Sequence, residues 1–415
     1  MTLFPKYKVR VPSELGGITS IALDSEQSAV SVGLEQADVV AIWRAVESLY
    51  RSQAHPGIAF CLRRRGAVVL NRSLGHARGN GPADGAQVPK RRLTPTTPIC
   101  LFSASKAVTA ILLHKLAEEG AIDLDQRIKH YIPEFGRAGK SRTTIADVLA
   151  HRGGFPTIAL KPQERNVELL NDWDRVVELI CRAPPSHNRT MAYHAITGGF
   201  ILAEILQRVT GDSLQNYLDQ RIRKPMGLKH FTYGVPQRQR SQVALNYSAG
   251  APVLFPVSKV AERVLLMPFA DVVEASNTAA FMDAVIPAGN LYATAEETSR
   301  FFQMLLDGGE YHGKRILQRE TVARAIKPVG RISLDRSMLI PMRYSEGMML
   351  GVNPAGLYGP CTHNAFGHLG FMNVLGWADP DRDISVALLS TGKAILGSHL
   401  IQLGKLLTAI CKRCA

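Results

Sequence analysis

The sequence predicts an α+β fold: one antiparallel sheet drawn from both ends of the chain, terminal helices covering it, and a mainly helical subdomain in between. Three observations predict it. GIAFCLRRRGAVVLNRSLG, 57–75, reads as two extended runs broken at Gly66, a hairpin. GHLGFMNVLGWADPDRDISVALLS, 367–390, reads as two strands around an Asp-Pro-Asp turn. Between about Thr97 and Gly234 the pattern changes to short helices punctuated by Pro and Gly. Strands at both ends with helices between them place the two ends in one layered structure. The 415 residues are expected to form a single domain, with an α/β part at about 35–96 and 290–415 and a helical subdomain at about 97–289.

Taken in order, EQADVVAIWRAVESLYRSQ sets Val39, Trp43, Val46 and Tyr50 on one helical face with charges opposite, an amphipathic helix lying on the sheet. The hairpin follows. GHARGNGPADG, 75–85, has glycines at phosphate-loop spacing but no strand-then-helix setting, and reads as a turn. WDRVVELICRA and ITGGFILAEILQRVTG are helices of the middle region. The stretch Pro252 to Val285 is apolar without a clean period, which predicts a functional loop or lid. TAEETSRFFQMLLDGG is a helix capped by Thr294, with Glu297 three residues on. GSHLIQLGKLLTAICKRC closes the chain as a helix.

Composition excludes several classes. At 46% hydrophobic residues the chain can build a sizeable core. No run of about 18 apolar residues occurs, so no membrane span is expected. MTLFPKYKVRVPSELGG has early positive charge but no apolar stretch behind it, which predicts a cytoplasmic protein without a secretory leader. Lys+Arg 49 against Asp+Glu 35 give a formal charge of +14, yet the basic residues are scattered and CLRRRG and PKRRL carry no aromatic interleaving. A nucleic-acid partner is therefore not expected. Six widely spaced cysteines read as reduced thiols, and Cys411 and Cys414, a lone C-x-x-C, as incidental.

No serine sits in G-x-S-x-G and no H-E-x-x-H occurs among the twelve histidines, so neither an α/β-hydrolase elbow nor a metal hydrolase is indicated; no metal or cofactor is expected. The candidate is SASK. Ser103 and Lys106 are three apart, on one face at the start of a helix that runs on through Val108, Ile111, Leu112 and Leu116. Free N–H groups at that helix start can stabilise negative charge. A lysine kept from water there favours its neutral form and can take the serine proton. By itself, S-x-x-K, which occurs by chance in many proteins, reads as a capped helix start with a snorkelling lysine.

Five ordered blocks go beyond the tetrapeptide: LFSASKAVTAILLHKLAEEGAIDLDQRIKHYIPEF, TTIADVLAHRGGFP, YHAITGGFILAEILQRVTG, IPAGNLYATAEETSRFFQMLLDGG and FGHLGFMNVLGWADP. From about Gly57 to Thr391 the chain resembles the serine β-lactamase and penicillin-binding-protein superfamily, especially its class C-like esterase branch, the family VIII carboxylesterases. The resemblance implies a β-lactamase/transpeptidase-like fold. It makes Ser103 the acyl-accepting nucleophile and Lys106 its base or relay. Tyr193 matches the tyrosine of Y-x-N, a general acid that later activates water. His368 to Gly370 fall where the family carries K-T-G. The N–H of Phe371 would then pair with that of Ser103 as an oxyanion hole, Gly370 would let substrate approach the strand, and His368 would bind a substrate carbonyl or carboxylate or support Tyr193. His151, in AHRGGFP, reads as a turn residue.

Two departures bear on substrate. Ala195 replaces the asparagine of Y-x-N and His368 the lysine of K-T-G, which weakens the case for β-lactams. STGK, 390–393, is not a displaced K-T-G, because its order is reversed and it follows the last strand. The expected activity is hydrolysis of small-molecule carboxylic esters through an acyl-serine, with Pro252 to Val285 as an acyl-chain wall. The alternatives are a β-lactamase or D-amino-acid peptidase, an acyltransferase on the same fold, and a non-catalytic ligand-binding protein. Oligomeric state is not legible.

Overall fold

The computed structural model describes residues 7–186, 189–371 and 373–415. Its main sheet contains, among the described residues, eight strands: β1 (Thr19–Ile21), β2 (Gly57–Arg64), β3 (Ala67–Arg78), β4 (Arg91–Arg92), β5 (Met349–Leu350), β6 (Phe366–Gly370), β7 (Val374–Asp379) and β8 (Ile384–Ser390). The order is β1-β3-β2-β8-β7-β6-β5, with β4 beside β3, and every pairing is antiparallel. β2 and β8 pair along their length, from Ile58 opposite Ser390 to Arg64 opposite Ile384, which joins the two ends of the chain. The hairpin turns at Arg65 and Gly66, both at positive φ (49° and 78°).

The helices used below are α1 (Gln36–Tyr50), α2 (Ser105–Glu118), α3 (Thr197–Thr210), α4 (Val257–Leu265), α5 (Phe269–Ala275), α6 (Ala279–Asp283), α7 (Ala295–Leu306) and α8 (His399–Arg413). Both sheet faces are covered. Ile58, Phe60 and Leu62 of β2 pack with Ile42, Val46 and Leu49 of α1 and Leu406 and Ile410 of α8. The alternate residues Ala59 and Cys61 join Phe301, Phe302 and Leu305 of α7 and the helical region. This is the period-2 division of a strand between two cores, and it is why every residue of β2, β7 and β8 is buried. The Thr294–Glu297 capping box opens α7, with Thr294 Oγ1 accepting from Glu297 N at 3.1 Å and Glu297 Oε2 from Thr294 N at 3.0 Å.

Two expectations are corrected. The 367–390 region holds three strands rather than two, because the chain breaks at Phe371 (φ 39°) after β6. Pro252 to Val285 is not irregular: it contains α4, α5 and α6, of nine, seven and five residues, each too short to establish a period in the sequence. The thiols of Cys411 and Cys414 are buried and unbridged at the end of α8. Among the described residues no helix is long and apolar enough to cross a membrane.

Candidate active site

Ser103 sits in a 3-10 turn, Phe102–Ala104, that leads directly into α2. Phe102 is held at φ 46°, a left-handed conformation a bulky residue adopts only when its surroundings fix it. Those surroundings are aromatic, with an amine beneath. The Phe102 ring stacks on Phe371 (4.9 Å between centroids), Phe371 stacks on Phe269 of α5 (5.0 Å), and the buried Lys393 Nζ lies 4.9 Å from the Phe102 ring centre. On the strand side, Gly370 ends β6 against the turn; a Cβ there would stand 2.0 Å from the carbonyl oxygen of Leu101. Only glycine permits that approach.

The second residue of α2, Lys106, is buried, and its Nζ donates to Ser103 Oγ at 3.1 Å and to the carbonyl of Ala288 at 2.9 Å. Both partners are uncharged, and burial pushes the Lys106 pKa well below that of a free lysine. Tyr193 lies just before α3, on the same cavity as Ser103, with Lys106 Nζ 4.9 Å from its ring centre. Burial raises the Tyr193 pKa, outweighing the opposing influence of Ser103. Ser103, Lys106 and Tyr193, spaced far apart in the chain except for the first two, therefore converge with lysine and tyrosine both favoured as neutral groups.

His368, on β6, has its ring centre 6.3 Å from that of Tyr193, and its Nδ1 lies 2.7 Å from Leu369 O, a distance at which Nδ1–H donates. Burial, with the Lys106 charge adding to it, pushes its pKa down to about 3. It presents a neutral ring. His151 carries a positive φ of 57° and accepts from His194 N at its Nδ1 (3.2 Å), while its carbonyl accepts from Ala192 N (2.9 Å). It thus shapes a turn, as the sequence indicated, and its ring also packs 4.6 Å from that of Tyr193.

Three contributors escaped the sequence reading. The carbonyl of Ala288 has no side-chain signature. Asp335 is fully buried, and its Oδ1 accepts from Tyr193 N (3.2 Å), Ser337 N (2.8 Å) and Met338 N (2.9 Å), while Oδ2 accepts from Tyr344 Oη (3.0 Å). The available signal was its isolation as the lone acid between Glu320 and Glu346. The third is the segment 158–170, which with α4 and α5 walls a cavity of about 140 Å³. Ser103 and Tyr193 line it, with Ile158, Leu170, Val264, Val272, Phe281 and Ile286 among its apolar walls and Glu164, Arg165 and Asn166 also on its lining. The expected wall from Pro252 to Val285 supplies only part of it.

Residues 42–401 match the family model described as Beta-lactamase. Esterase/beta-lactamase LipL of Mycobacterium tuberculosis is 28% identical over 304 residues, 70% of this chain and 68% of that protein. A penicillin-binding protein homolog from Caulobacter crescentus superposes with a TM-score of 0.76 at 26% identity, covering 92% of this chain and 99% of that one. A family VIII carboxylesterase structure gives the same TM-score, 0.76, at 23% identity and the same coverage, 92% and 99%.

Proposed function

The chain belongs to the beta-lactamase family, and from that premise we propose that this serine hydrolase cleaves neutral carboxylic esters bearing an apolar acyl group, through a covalent acyl-serine intermediate. The observation that carries the reading is Lys106: a buried amine, hydrogen-bonded to Ser103 Oγ without a carboxylate in that bond, while Ser103 itself lines an apolar cavity.

Ser103 Oγ attacks the ester carbonyl as neutral Lys106 accepts its proton. The N–H groups of Ser103 and Phe371 hold the oxyanion, a role supported by the abutment of Gly370 on the nucleophile turn. Tyr193 passes a proton to the departing alcohol, regaining it through Lys106, and the acyl group stays on Ser103 with its chain in the cavity. Water then attacks the acyl carbonyl, Tyr193 and Lys106 take its proton, and the carboxylic acid leaves as Ser103 Oγ is reprotonated. His368 is neutral and Ala195 offers no amide, so the site has neither the cation nor the polar side chain that those positions give to β-lactam-processing relatives; this favours an uncharged ester.

The test is turnover of p-nitrophenyl butyrate beside a chromogenic cephalosporin, by the wild type and Ser103→Ala. Ester cleavage is expected to be the faster reaction and to vanish in the variant, with an acyl adduct on Ser103 detected by intact mass. Faster lactam opening would move the protein to the β-lactamase reading, and turnover surviving in Ser103→Ala would end the acyl-serine mechanism. Within the ester reading, p-nitrophenyl octanoate should outcompete acetate, and Ile286→Trp, which fills the cavity, should reverse that order.

A further inference from the structure

Beside the site stands a short hairpin, Ser333–Leu334 paired with Pro341–Met342, whose surface the proposed hydrolysis does not use. Met342 is buried, whereas Ser333, whose Oγ lies 3.6 Å from the Met191 sulfur, is exposed together with Ile332 and Leu334, the last two at 50% and 56%. At the tip, Leu339 and Ile340 are 53% and 44% exposed. Leu339 is fixed in left-handed backbone (φ 59°), its N–H bonded to the Asp335 carbonyl at 2.8 Å. Single exposed apolar residues are ordinary, but four on one small hairpin, one of them in a strained conformation, form a patch.

The exposed charges along residues 327–340 have one sign. Lys327, Arg331 and Arg336 are exposed, and Asp335, the acid of this stretch, is fully buried with both oxygens engaged. A second exposed apolar pair, Leu254 (67%) and Phe255 (81%), precedes α4, which has no fully buried residue and carries exposed Arg263 and an exposed Lys259 paired with Glu262 at 3.0 Å; α5 beyond it exposes Asp271 and Glu274. The C-terminal end of α4 and the hairpin meet one cluster: Val264 and Met338 both pack against Met191, Tyr193 and Tyr344. Protruding apolar side chains among exposed cations match the interface of an anionic bilayer, where acyl chains lie beneath phosphates. A symmetric contact between two copies would instead set Arg331 and Arg336 against their own kind.

We propose that the 332–340 hairpin and the Leu254–Phe255 segment dock this protein peripherally on an anionic lipid surface. Leu334, Leu339 and Ile340 enter the headgroup region, and Lys327, Arg331 and Arg336 meet the phosphates. Docking goes beyond ester hydrolysis and does not depend on Ser103.

Co-sedimentation of the full chain with phosphatidylcholine vesicles, with and without phosphatidylglycerol, tests it. The wild type and Ser103→Ala should bind alike, only where phosphatidylglycerol is present, and release as salt is raised. Arg331→Glu/Arg336→Glu and, separately, Leu334→Ser/Leu339→Ser/Ile340→Ser should each weaken binding about tenfold or more. Both should keep the wild-type near-UV circular dichroism and turnover of soluble p-nitrophenyl butyrate. Absence of vesicle binding, binding indifferent to phosphatidylglycerol, or variants that bind like the wild type would overturn the proposal. A dimer seen by analytical ultracentrifugation and abolished by the serine variant, without vesicle binding, would assign the patch to a second copy instead.

Discussion

Asp335 holds Tyr193 by its main chain: the Tyr193 N–H donates to Asp335 Oδ1 at 3.2 Å, inside a carboxylate that also takes two further N–H groups and the Tyr344 hydroxyl. The tyrosine facing Ser103 is thereby tied to the base of the hairpin. A buried carboxylate with every bond made is costly to alter, because its partners lose theirs.

Asp335→Asn replaces one acceptor oxygen by a donor. The expected result is a loss of about 1–3 kcal/mol in urea denaturation and a kcat lowered about tenfold or more with KM little changed, as expected for misplacement of a group acting on the reacting atoms. Tyr344→Phe removes only the Oδ2 bond and should keep most of kcat. An equal kcat loss in both variants would mean that general destabilisation, not the hold on Tyr193, is being read.

Burial lowers the Lys106 pKa and raises that of Tyr193, so the active form has both groups neutral. The kcat/KM for p-nitrophenyl butyrate should rise with pH as Lys106 loses its proton, well below the range of free lysine, and stay level until Tyr193 ionises in strong alkali. Lys106→Met should lower kcat/KM by about 10²–10⁴-fold and abolish the acidic limb. A retained limb would assign it to another group.

His368 gives the site no cation at neutral pH. His368→Lys should therefore raise cephalosporin turnover relative to ester turnover, by about tenfold for one added charge-assisted hydrogen bond. An unchanged ratio, measured on the same preparation, would show that the lactam carboxylate is not met at this position.

Lys393, buried beneath Phe102 with its Nζ donating to the Ser390 carbonyl at 2.6 Å, has its pKa pushed down to about 7 by burial. Between that value and the ordinary 10.5, the unfolded chain holds a proton that the folded chain lacks, so folding stability rises with pH across this window. Lys393→Met removes the effect. Relative to the wild type, the variant's stability advantage should be greatest near pH 7 and shrink by about 1 kcal/mol per pH unit on going alkaline. Denaturation curves at several pH values check it; an advantage constant with pH would mean that Lys393 keeps its proton.

Local patterns carried much of this fold in the sequence. The hairpin at Gly66, the Thr294–Glu297 cap and the amphipathic α1 are each specified by residues a few positions apart, and each is found. Where local pattern was thin, it misled. Three strands read as two because Phe371, an aromatic residue, gives no hint of the left-handed break it makes. Helices α4 to α6 read as an irregular stretch because none spans enough turns to show a period.

The meeting of Ser103 and Lys106 was determined by the sequence itself, since a three-residue spacing at a helix start brings the two side chains together in any chain that forms that helix. Tertiary structure alone decided the rest of the site. It carried Tyr193 to Ser103, set the Ala288 carbonyl on Lys106 and the Asp335 carboxylate on Tyr193, and enclosed the apolar cavity. The reason is the range of the forces involved. Helical spacing is fixed by backbone geometry within a turn, whereas the contacts across the chain, and the dry surroundings that keep Lys106 neutral, exist only once the cores on both faces of the sheet have closed.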